Sequence, residues 1–395
     1  MTKNKSYKIF ENISDVDISE QDIFDYSPEV LAALLVDHTM SAKVRKAAKD
    51  YTKTVNIFWA TSDYEDFIRD ENGNIINDGY HYDDEIKIDR ITGVCQRVIM
   101  PRVLKAKQLQ IDRTKDKAEV FTPSWVCNAQ NNLIDEAWFG RKNVFNTEVL
   151  NDDGTHSWIP TLGKIPFPED ESEKTWKKYV TDLRLEITCG EAPYLVSRYD
   201  TTTGEPIPIS KRIGILDRKL RVVNENVDNE KDWYIMAEKA FKHTYGYEWQ
   251  GDNLLLAREA LLYTYIEYFM DKFNEKDENG LYIKDANGEL HVPSKQKILN
   301  AARWISWNVW QMDGLKMVVP NSCEKANVII DLFGERKCEC EACKKGEFRG
   351  HIGEKCLIRD WDMRKPKNWK GEDGVDPHSQ PWQKIPFSSL LNSRE

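Results

Sequence analysis

Two acidic residues at the ends of predicted strands are the first candidates for chemistry in this chain. The segment 182–194, DLRLEITCGEAPY, predicts a strand that carries Glu186 and then breaks into a tight turn at Cys189-Gly190. Glycine in such a turn leaves room for a ligand to reach the backbone, whose N–H groups can donate hydrogen bonds to it. Glu248 follows a second predicted strand, and a carboxylate there can accept hydrogen bonds from both hydroxyls of a ribose. The pattern favours a nucleotide-like ligand.

A cysteine-rich segment offers a second kind of chemistry. CECEACKKGEFRGHIGEKC at 338–356 contains four cysteines and one histidine but few apolar residues. Four thiolate or imidazole ligands hold Zn²⁺ tetrahedrally and would stabilise such a segment, and they leave no open position for catalysis. We predict a structural zinc site whose ligands are Cys340, Cys343, His351 and Cys356, with Cys338 as the alternative to the histidine. The cysteines that are isolated in the sequence are predicted to be core residues, namely Cys95, Cys127 and Cys323.

The surrounding pattern supplies the elements that must position these residues. Apolar residues recur at helical spacing from Asn253 to Phe273, which predicts one long helix directly after Glu248. Another helix is expected to begin near Ser124, after the segment AEVFTP at 118–123. Near the N-terminus, Ser27 followed by proline is typical of a helix start. A set of tryptophans at three-residue spacing is interpreted as core, because each ring removes a large apolar area from water; these are Trp304, Trp307 and Trp310.

In order and in type, these segments resemble the gamma-class amino-methyltransferases, which methylate adenine N6 in DNA. Phe121-Thr122-Pro123 is similar to the first cofactor motif of that family. The run from Glu186 to Tyr194 is similar to its acid-x-x-Cys-Gly-x-Gly-x-aromatic motif, and Glu248 to its ribose-binding acid. LIRDW at 357–361 is similar to the strand that follows in that family, whose acid, here Asp360, contacts the cofactor adenine. The resemblance thus implies cofactor-binding roles for Phe121, Thr122, Pro123, Glu186, Cys189, Gly190, Ala192, Glu248 and Asp360.

The whole chain also resembles modification proteins of the type called restriction endonuclease subunit M. This implies an α/β, Rossmann-like fold that binds S-adenosylmethionine, in a cytoplasmic protein that acts on double-stranded DNA beside a separate catalytic or restriction subunit. We expect a mainly helical region with a short hairpin at 1–100 and a cofactor-binding domain at 101–330. A zinc loop at 331–358 and a C-terminal extension at 359–395 would follow. Because 62 residues separate Glu186 from Glu248, against roughly 20 in a compact nucleotide-binding unit, an insertion is expected near 198–235.

The chain departs from the family most clearly at the catalytic loop. That loop is an Asp, Asn or Ser followed by Pro-Pro and an aromatic residue, whereas the 15 prolines here include no Pro-Pro pair. The nearest string is Ser379-Gln380-Pro381-Trp382. In longer relatives the loop follows a segment like IPFSSLL, after which this sequence ends, so the catalytic residue stays unassigned and a partner is expected to supply the loop. A complete methyltransferase with an atypical loop and a non-enzymatic specificity or scaffold subunit remain as alternatives. The milder departures are Glu186 for aspartate and Ala192 for glycine.

Composition limits how the chain can contact nucleic acid. The net charge of −10 argues against binding DNA by bulk electrostatics, so binding would need a local basic face, at 102–117 or at 364–370. Both segments also fit an ordinary solvated surface. The sequence has no apolar run long enough for a membrane span and no signal-peptide core near its start, which predicts no membrane association and reduced cysteines.

Overall fold

A three-stranded parallel sheet surrounded by helices forms the centre of the computed structural model. The structure describes residues 8–11, 19–66, 68–69, 73–104, 122–168, 173–278, 280–326, 328–331, 334–337, 340–368, 370 and 380–391. The helices are α1 Lys8–Glu11, α2 Glu20–Tyr26, α3 Pro28–Leu35, α4 His38–Ala48, α5 Ser124–Phe139, α6 Trp176–Val180, α7 Ile215–Asn226, α8 Glu230–Lys242, α9 Gly251–Phe273, α10 Lys295–Asn308, α11 Ser322–Ala326 and α12 Glu341–Lys345. The strands are β1 Ile68–Arg69, β2 Ile75–Asn77, β3 Asn146–Leu150, β4 His156–Pro160, β5 Arg184–Ile187, β6 Thr244–Glu248, β7 Val309–Gln311, β8 Val328–Asp331, β9 Gly334–Lys337, β10 Leu357–Arg359 and β11 Lys384–Pro386.

The parallel sheet has the order β5-β6-β7. Glu186 of β5 lies opposite Gly246 of β6, and Tyr247 lies opposite Trp310 of β7. Helices connect each strand to the next, α7 and α8 between β5 and β6, then α9 and α10 between β6 and β7. Because the strands are parallel, their carboxyl ends meet at one edge of the sheet, and this edge carries the turn after β5 and Glu248. The predicted strands and the predicted helix after Glu248 are confirmed.

Helix α9 is buried over almost its whole length. Every residue from Gly251 to Met270 is buried, so the few charged side chains on this helix must find polar partners inside the protein. The Arg258 guanidinium donates to backbone carbonyl groups of three other elements. Glu267, one turn from the buried end, accepts hydrogen bonds from Arg198 and Arg212.

In the N-terminal region, helix α3 packs against α10 and α9. Helix α3 begins at the predicted Ser27-Pro28 step, and α4 begins at His38. The three tryptophans predicted as core residues are all buried, at 5 to 8% exposure. Among the described residues, no helix combines the length and apolar character needed to cross a membrane.

The remaining strands form separate two-stranded antiparallel sheets. One of them corrects a sequence expectation: β10, which precedes Asp360, pairs with β11 and not with the parallel sheet. The place next to β6 is taken by β7. The described chain is therefore a mixed α/β protein built from small sheets, with the predicted insertion region occupied by α7 and the start of α8.

Candidate functional site

The turn after β5 is a sharp one, made by three residues in the left-handed region of backbone space. Thr188, Gly190 and Ala192 have φ angles of 51°, 52° and 63°. Glycine enters this region without a steric penalty, whereas alanine does so at a cost of about 1 kcal/mol. A Cβ atom added at Gly190 would meet no atom within 4 Å, so the backbone of the turn faces open space where a ligand can approach.

Two buried carboxylates hold this turn. Glu186 accepts hydrogen bonds from the N–H groups of Tyr194 and Leu195, at 3.3 and 3.1 Å. Glu248 accepts from the N–H of Gly190 at 2.9 Å and from that of Gln250 at 3.3 Å. Burial raises the pKa of both carboxyls, and the proximity of Glu248 raises the pKa of Glu186 further. Neither carboxylate forms an ion pair with a cation among the described residues, which leaves a pair of acids without a positive partner.

A pocket opens beside the turn. Most of the described residues that line it come from the predicted motifs and from the loop after β5, and Arg102 and the α9 residue Asn253 complete the wall. They are Arg102, Thr122, Glu186, Thr188, Cys189, Gly190, Glu191, Pro193, Tyr194, Thr201 and Asn253. The loop holds the start of α5 against this pocket, because Asp200 accepts from the N–H of Ser124 at 2.9 Å and the Thr201 hydroxyl donates to the Thr122 carbonyl at 2.8 Å. Two segments that lie far apart in the sequence thus meet at one wall.

The structure therefore brings together most of the predicted cofactor residues. Thr122, Glu186, Cys189 and Gly190 line the pocket, and Pro123 precedes α5 beside it. Ala192 is buried in the turn, and Glu248 lies one hydrogen bond behind Gly190 and does not form part of the pocket wall. Phe121 lies outside the described residues.

Asp360 is the predicted cofactor residue that the structure places elsewhere. It lines a separate, mainly apolar cleft together with Leu183, Leu185 and Trp310. Its carboxylate accepts hydrogen bonds from the N–H groups that follow it in the chain, those of Asp362 and Met363. The expectation failed because β10 folds back on β11 and carries Asp360 away from the carboxyl edge of the parallel sheet.

A second candidate site is a group of three cysteines and one histidine, which we call the Cys₃His group. Its members are Cys323, Cys340, Cys343 and His351, and their four ligand atoms lie within 4.8 Å of one another. The three sulfur atoms lie 3.8, 3.9 and 3.4 Å from His351 Nδ1, in that order. Zinc–ligand bonds of about 2.0 to 2.3 Å in a tetrahedron would separate such atoms by about 3.6 Å. The group could therefore bind a metal ion such as zinc.

Backbone groups around the Cys₃His group favour this role. His351 Nε2 lies 2.8 Å from the carbonyl oxygen of Glu347, which fixes the ring so that Nδ1 faces the sulfur atoms. Although burial acts to raise it, backbone N–H groups, first that of Cys343, lower the pKa of the Cys340 thiol to about 6. A thiol that ionises this readily is a good metal ligand. Gly353 packs directly on Cys323, where an added Cβ would lie 2.9 Å from the sulfur.

The Cys₃His group differs from the predicted ligand set at one position. Cys323, predicted as a core cysteine, belongs to the group, and Cys356 does not. Cys356 is fully buried, and its sulfur lies 3.4 Å from the Gln311 carbonyl oxygen. Cys338, the proposed substitute for the histidine, lies outside the described residues. Cys95 and Cys127 are buried, as predicted.

Comparison with protein-family models, with curated proteins and with solved structures finds no match for this chain. A functional conclusion therefore depends on the chemistry of the pocket and of the Cys₃His group, together with the motif resemblance.

The two alternative ligand sets lead to different metal contents in cysteine variants. Protein purified without chelator is expected to carry about one metal ion per chain, and Cys323→Ser should lose it because one of four ligands is gone. Cys356→Ala should retain the metal, since its sulfur contacts a backbone carbonyl in the core. Elemental analysis of both variants measures this. Retention in Cys323→Ser with loss in Cys356→Ala would restore the ligand set that the spacing predicts.

The raised pKa of Glu186 predicts how stability changes with pH. In the unfolded chain this carboxyl ionises near its ordinary pKa of about 4.3, whereas the folded protein keeps the proton to higher pH. A rise in pH through this window lowers the free energy of unfolding, by about 1.4 kcal/mol for each unit between the two pKa values. Glu186→Gln removes this contribution, so the wild-type protein should lose stability relative to the variant as pH rises in urea titrations. The exposed Glu278→Gln is the control, and a pH-independent difference between wild type and Glu186→Gln would contradict the raised pKa.

Proposed function

We propose that this chain is the S-adenosylmethionine-binding part of a DNA adenine-N6 methyltransferase, and that it serves as the modification subunit of a bacterial restriction-modification system. The observation that carries the proposal is the juxtaposition of Glu186, the Cys189-Gly190 turn and Glu248 at the carboxyl edge of the parallel sheet. Open doubly wound sheets bind nucleotide cofactors at this edge. Thr122 and Pro123, which resemble the first cofactor motif, adjoin the same pocket.

The chemistry of the pocket fits the charge and shape of S-adenosylmethionine. The cofactor carries a sulfonium and an ammonium group, and a bound cation would favour the ionised form of Glu186, a buried acid whose pKa is raised in the absence of a cationic partner among the described residues. The open space over Gly190 allows a ligand to reach backbone N–H groups. Glu186 would face the cationic part of the cofactor. For Glu248 to accept from the ribose hydroxyls, as the resemblance implies, the ligand would have to replace the N–H groups of Gly190 and Gln250 that this carboxylate binds. When bound, the cofactor supplies an electrophilic methyl group.

The topology supports a Rossmann-like fold as the finer fold assignment. Parallel strands joined by helical crossovers, in the order β5-β6-β7, correspond to one half of a doubly wound sheet. In that arrangement the second half extends from the free side of the first strand. Here the free side of β5 has no neighbouring strand among the described residues, and Leu183, Leu185 and Ile187 are 66, 40 and 67% exposed.

The exposed edge of β5 supports the need for a partner. Parallel sheets are normally covered on both faces, and an unprotected aliphatic edge strand is prone to pair with another strand. A partner that carried the Pro-Pro-aromatic loop and added a strand here would bring that loop beside the Glu186 pocket. The string at 379–382 is a weaker source of the loop, because Gln380 accepts from Arg359 and Trp382 stacks with Lys365, and neither lines the pocket. Ser379 lies outside the described residues.

We further propose that the Cys₃His group holds a structural zinc ion. Four protein ligands close the coordination sphere, so zinc here would stabilise the fold and would not activate water. Among the described residues, the buried apolar cluster around the group contains Val318 and Ala342 besides the cysteines. Metal–ligand bonds would therefore supply much of the free energy that folds this segment.

Cofactor binding is the direct test of the proposal. Isothermal titration with S-adenosylmethionine, and with its demethylated product, is expected to show one site. Glu248→Ala should weaken binding by roughly 2 to 4 kcal/mol, because it removes an anchor of the Gly190 turn and a charged acceptor. The exposed Glu278→Ala is the matched control. Folded protein that gives no heat with either ligand would exclude the cofactor role.

Methyl transfer separates the split enzyme from a complete one. Transfer to an exocyclic amine needs acceptors that hold the amino group in place to within roughly 0.5 Å. The purified chain should therefore bind cofactor but transfer no labelled methyl group to adenine-containing DNA, and a partner with a Pro-Pro-aromatic loop should restore transfer. Efficient methylation by the chain alone would instead support the complete enzyme, and its loss in Pro381→Ala would locate the atypical loop.

A further inference from the structure

A surface rich in cations and aromatic rings lies around β10 and β11. We call it the cation–ring face and define it by its described members, which are Lys242, Arg359, Trp361, Arg364, Lys365, Lys367, Trp382 and Lys384. The buried Trp307 ring lies beneath Arg359 and Lys384. It includes part of the basic segment 364–370 that the sequence offers as a nucleic-acid contact. The face stands out in a chain whose net charge is −10.

Aromatic rings hold several of these cations in place. The Arg359 guanidinium lies 4.3 Å from the Trp361 ring centre, and Lys242 Nζ lies 4.5 Å from the same ring. Lys365 lies 5.5 Å from the Trp382 ring centre. A ring attracts a cation through its quadrupole but, unlike a carboxylate, carries no net charge. Trp382 therefore orients Lys365 without neutralising it, whereas Lys242 also forms an ion pair with Glu238.

The outer part of the face is open to solvent. Arg364, Lys365 and Lys367 are all exposed, and none has a carboxylate ion-pair partner among the described residues. Among the described residues, the acids that contact the face or adjoin it in the sequence are Glu238, Asp360 and Asp362, against its six Lys and Arg side chains. Positive charge consequently predominates on this surface.

We infer that the cation–ring face binds the phosphate backbone of DNA. Phosphate contacts from Lys and Arg supply most of the sequence-independent affinity of DNA-binding proteins, and an acidic protein needs a local surface of this kind to make them. Arg359 and Trp361 line the same cleft as Leu183 and Leu185. DNA held on the face would therefore lie next to the open edge of β5, where the partner with the catalytic loop is proposed to dock. The choice of DNA as the polyanion rests on the proposed function.

Fluorescence anisotropy with a labelled DNA duplex at several salt concentrations tests the inference. The variant Arg364→Gln/Lys365→Gln/Lys367→Gln removes three positive charges from the face. The control Lys53→Gln/Lys164→Gln/Lys211→Gln removes three from exposed positions on other elements, so both variants have the same net charge. The face variant should bind at least about tenfold more weakly near 0.1 M salt, with a salt dependence reduced by about two to three phosphate contacts, and the control should stay within about twofold of wild type.

Equal weakening in both variants, or no duplex binding by the wild-type chain, would overturn the inference. Titration of each variant with S-adenosylmethionine separates this result from the proposed function. Cofactor binding without DNA binding would exclude the face as a DNA-binding surface but would leave the proposed cofactor pocket in place. Selective loss of DNA binding in the face variant, in a chain that gives no heat with the cofactor, would uphold the face and exclude the methyltransferase role.

Discussion

The Arg258 guanidinium is the interaction on which the arrangement of the fold depends. It is buried within α9 and donates to the carbonyl groups of Leu34 and Val36 at the end of α3, the latter at 3.1 Å. It also donates to the carbonyl groups of Val309 and Ser306, at 2.8 and 3.2 Å. Burial lowers its pKa to about 10, so it stays charged at neutral pH. Hydrogen bonds from a charged donor are stronger than neutral ones, and unpaired buried carbonyls would be costly. One side chain thus joins the N-terminal helices, α10 and the first residue of β7 to the central helix. Because α9 begins three residues after Glu248, the same anchor fixes the position of the acid behind the Gly190 turn.

Buried ion pairs hold the other wall of the pocket. Arg198 and Arg212 both bind Glu267 of α9, and although burial acts to raise it, these two cations lower the pKa of Glu267. These ion pairs hold the two ends of the loop on α9. Within the loop, Asp200 and Thr201 contact the start of α5. The loop between β5 and α7 therefore has a positioning role, since it places Thr122 at the pocket.

Local patterns predicted the elements of the site because each depends on neighbours in the sequence. The apolar alternation before Glu186, the acid at the end of β6 and the helix that follows it are short-range features, and the structure contains all three. Cys356 and Asp360 were misplaced because their surroundings depend on distant partners. The N–H of Cys356 bonds to Met317 and its carbonyl accepts from Phe387, which turns its sulfur into the core. The residues around Cys323 do not indicate that the chain returns past Gly353 to close the Cys₃His group. The only signal for Cys323 as a ligand is that it is a cysteine upstream of the cysteine-rich segment.

The proposed cofactor pocket and the Cys₃His group are linked through β7. Gln311, at the end of this strand, binds both the N–H and the carbonyl of Phe58 and so fixes the strand to the N-terminal region. From there the chain turns at Asp313, and Val318 and Val319 pair with the segment 354–355, immediately before Cys323. A metal ion held by residues on both sides of this pairing would stabilise the segment that follows β7. It would thereby support β7, the third strand of the parallel sheet. The Gln311 side chain of this strand also donates to the carbonyl of Trp249, the residue directly after Glu248, at 2.9 Å. The Cys₃His group is therefore connected to the acid that holds the Gly190 turn by a continuous series of contacts through one short strand, without lying in the pocket.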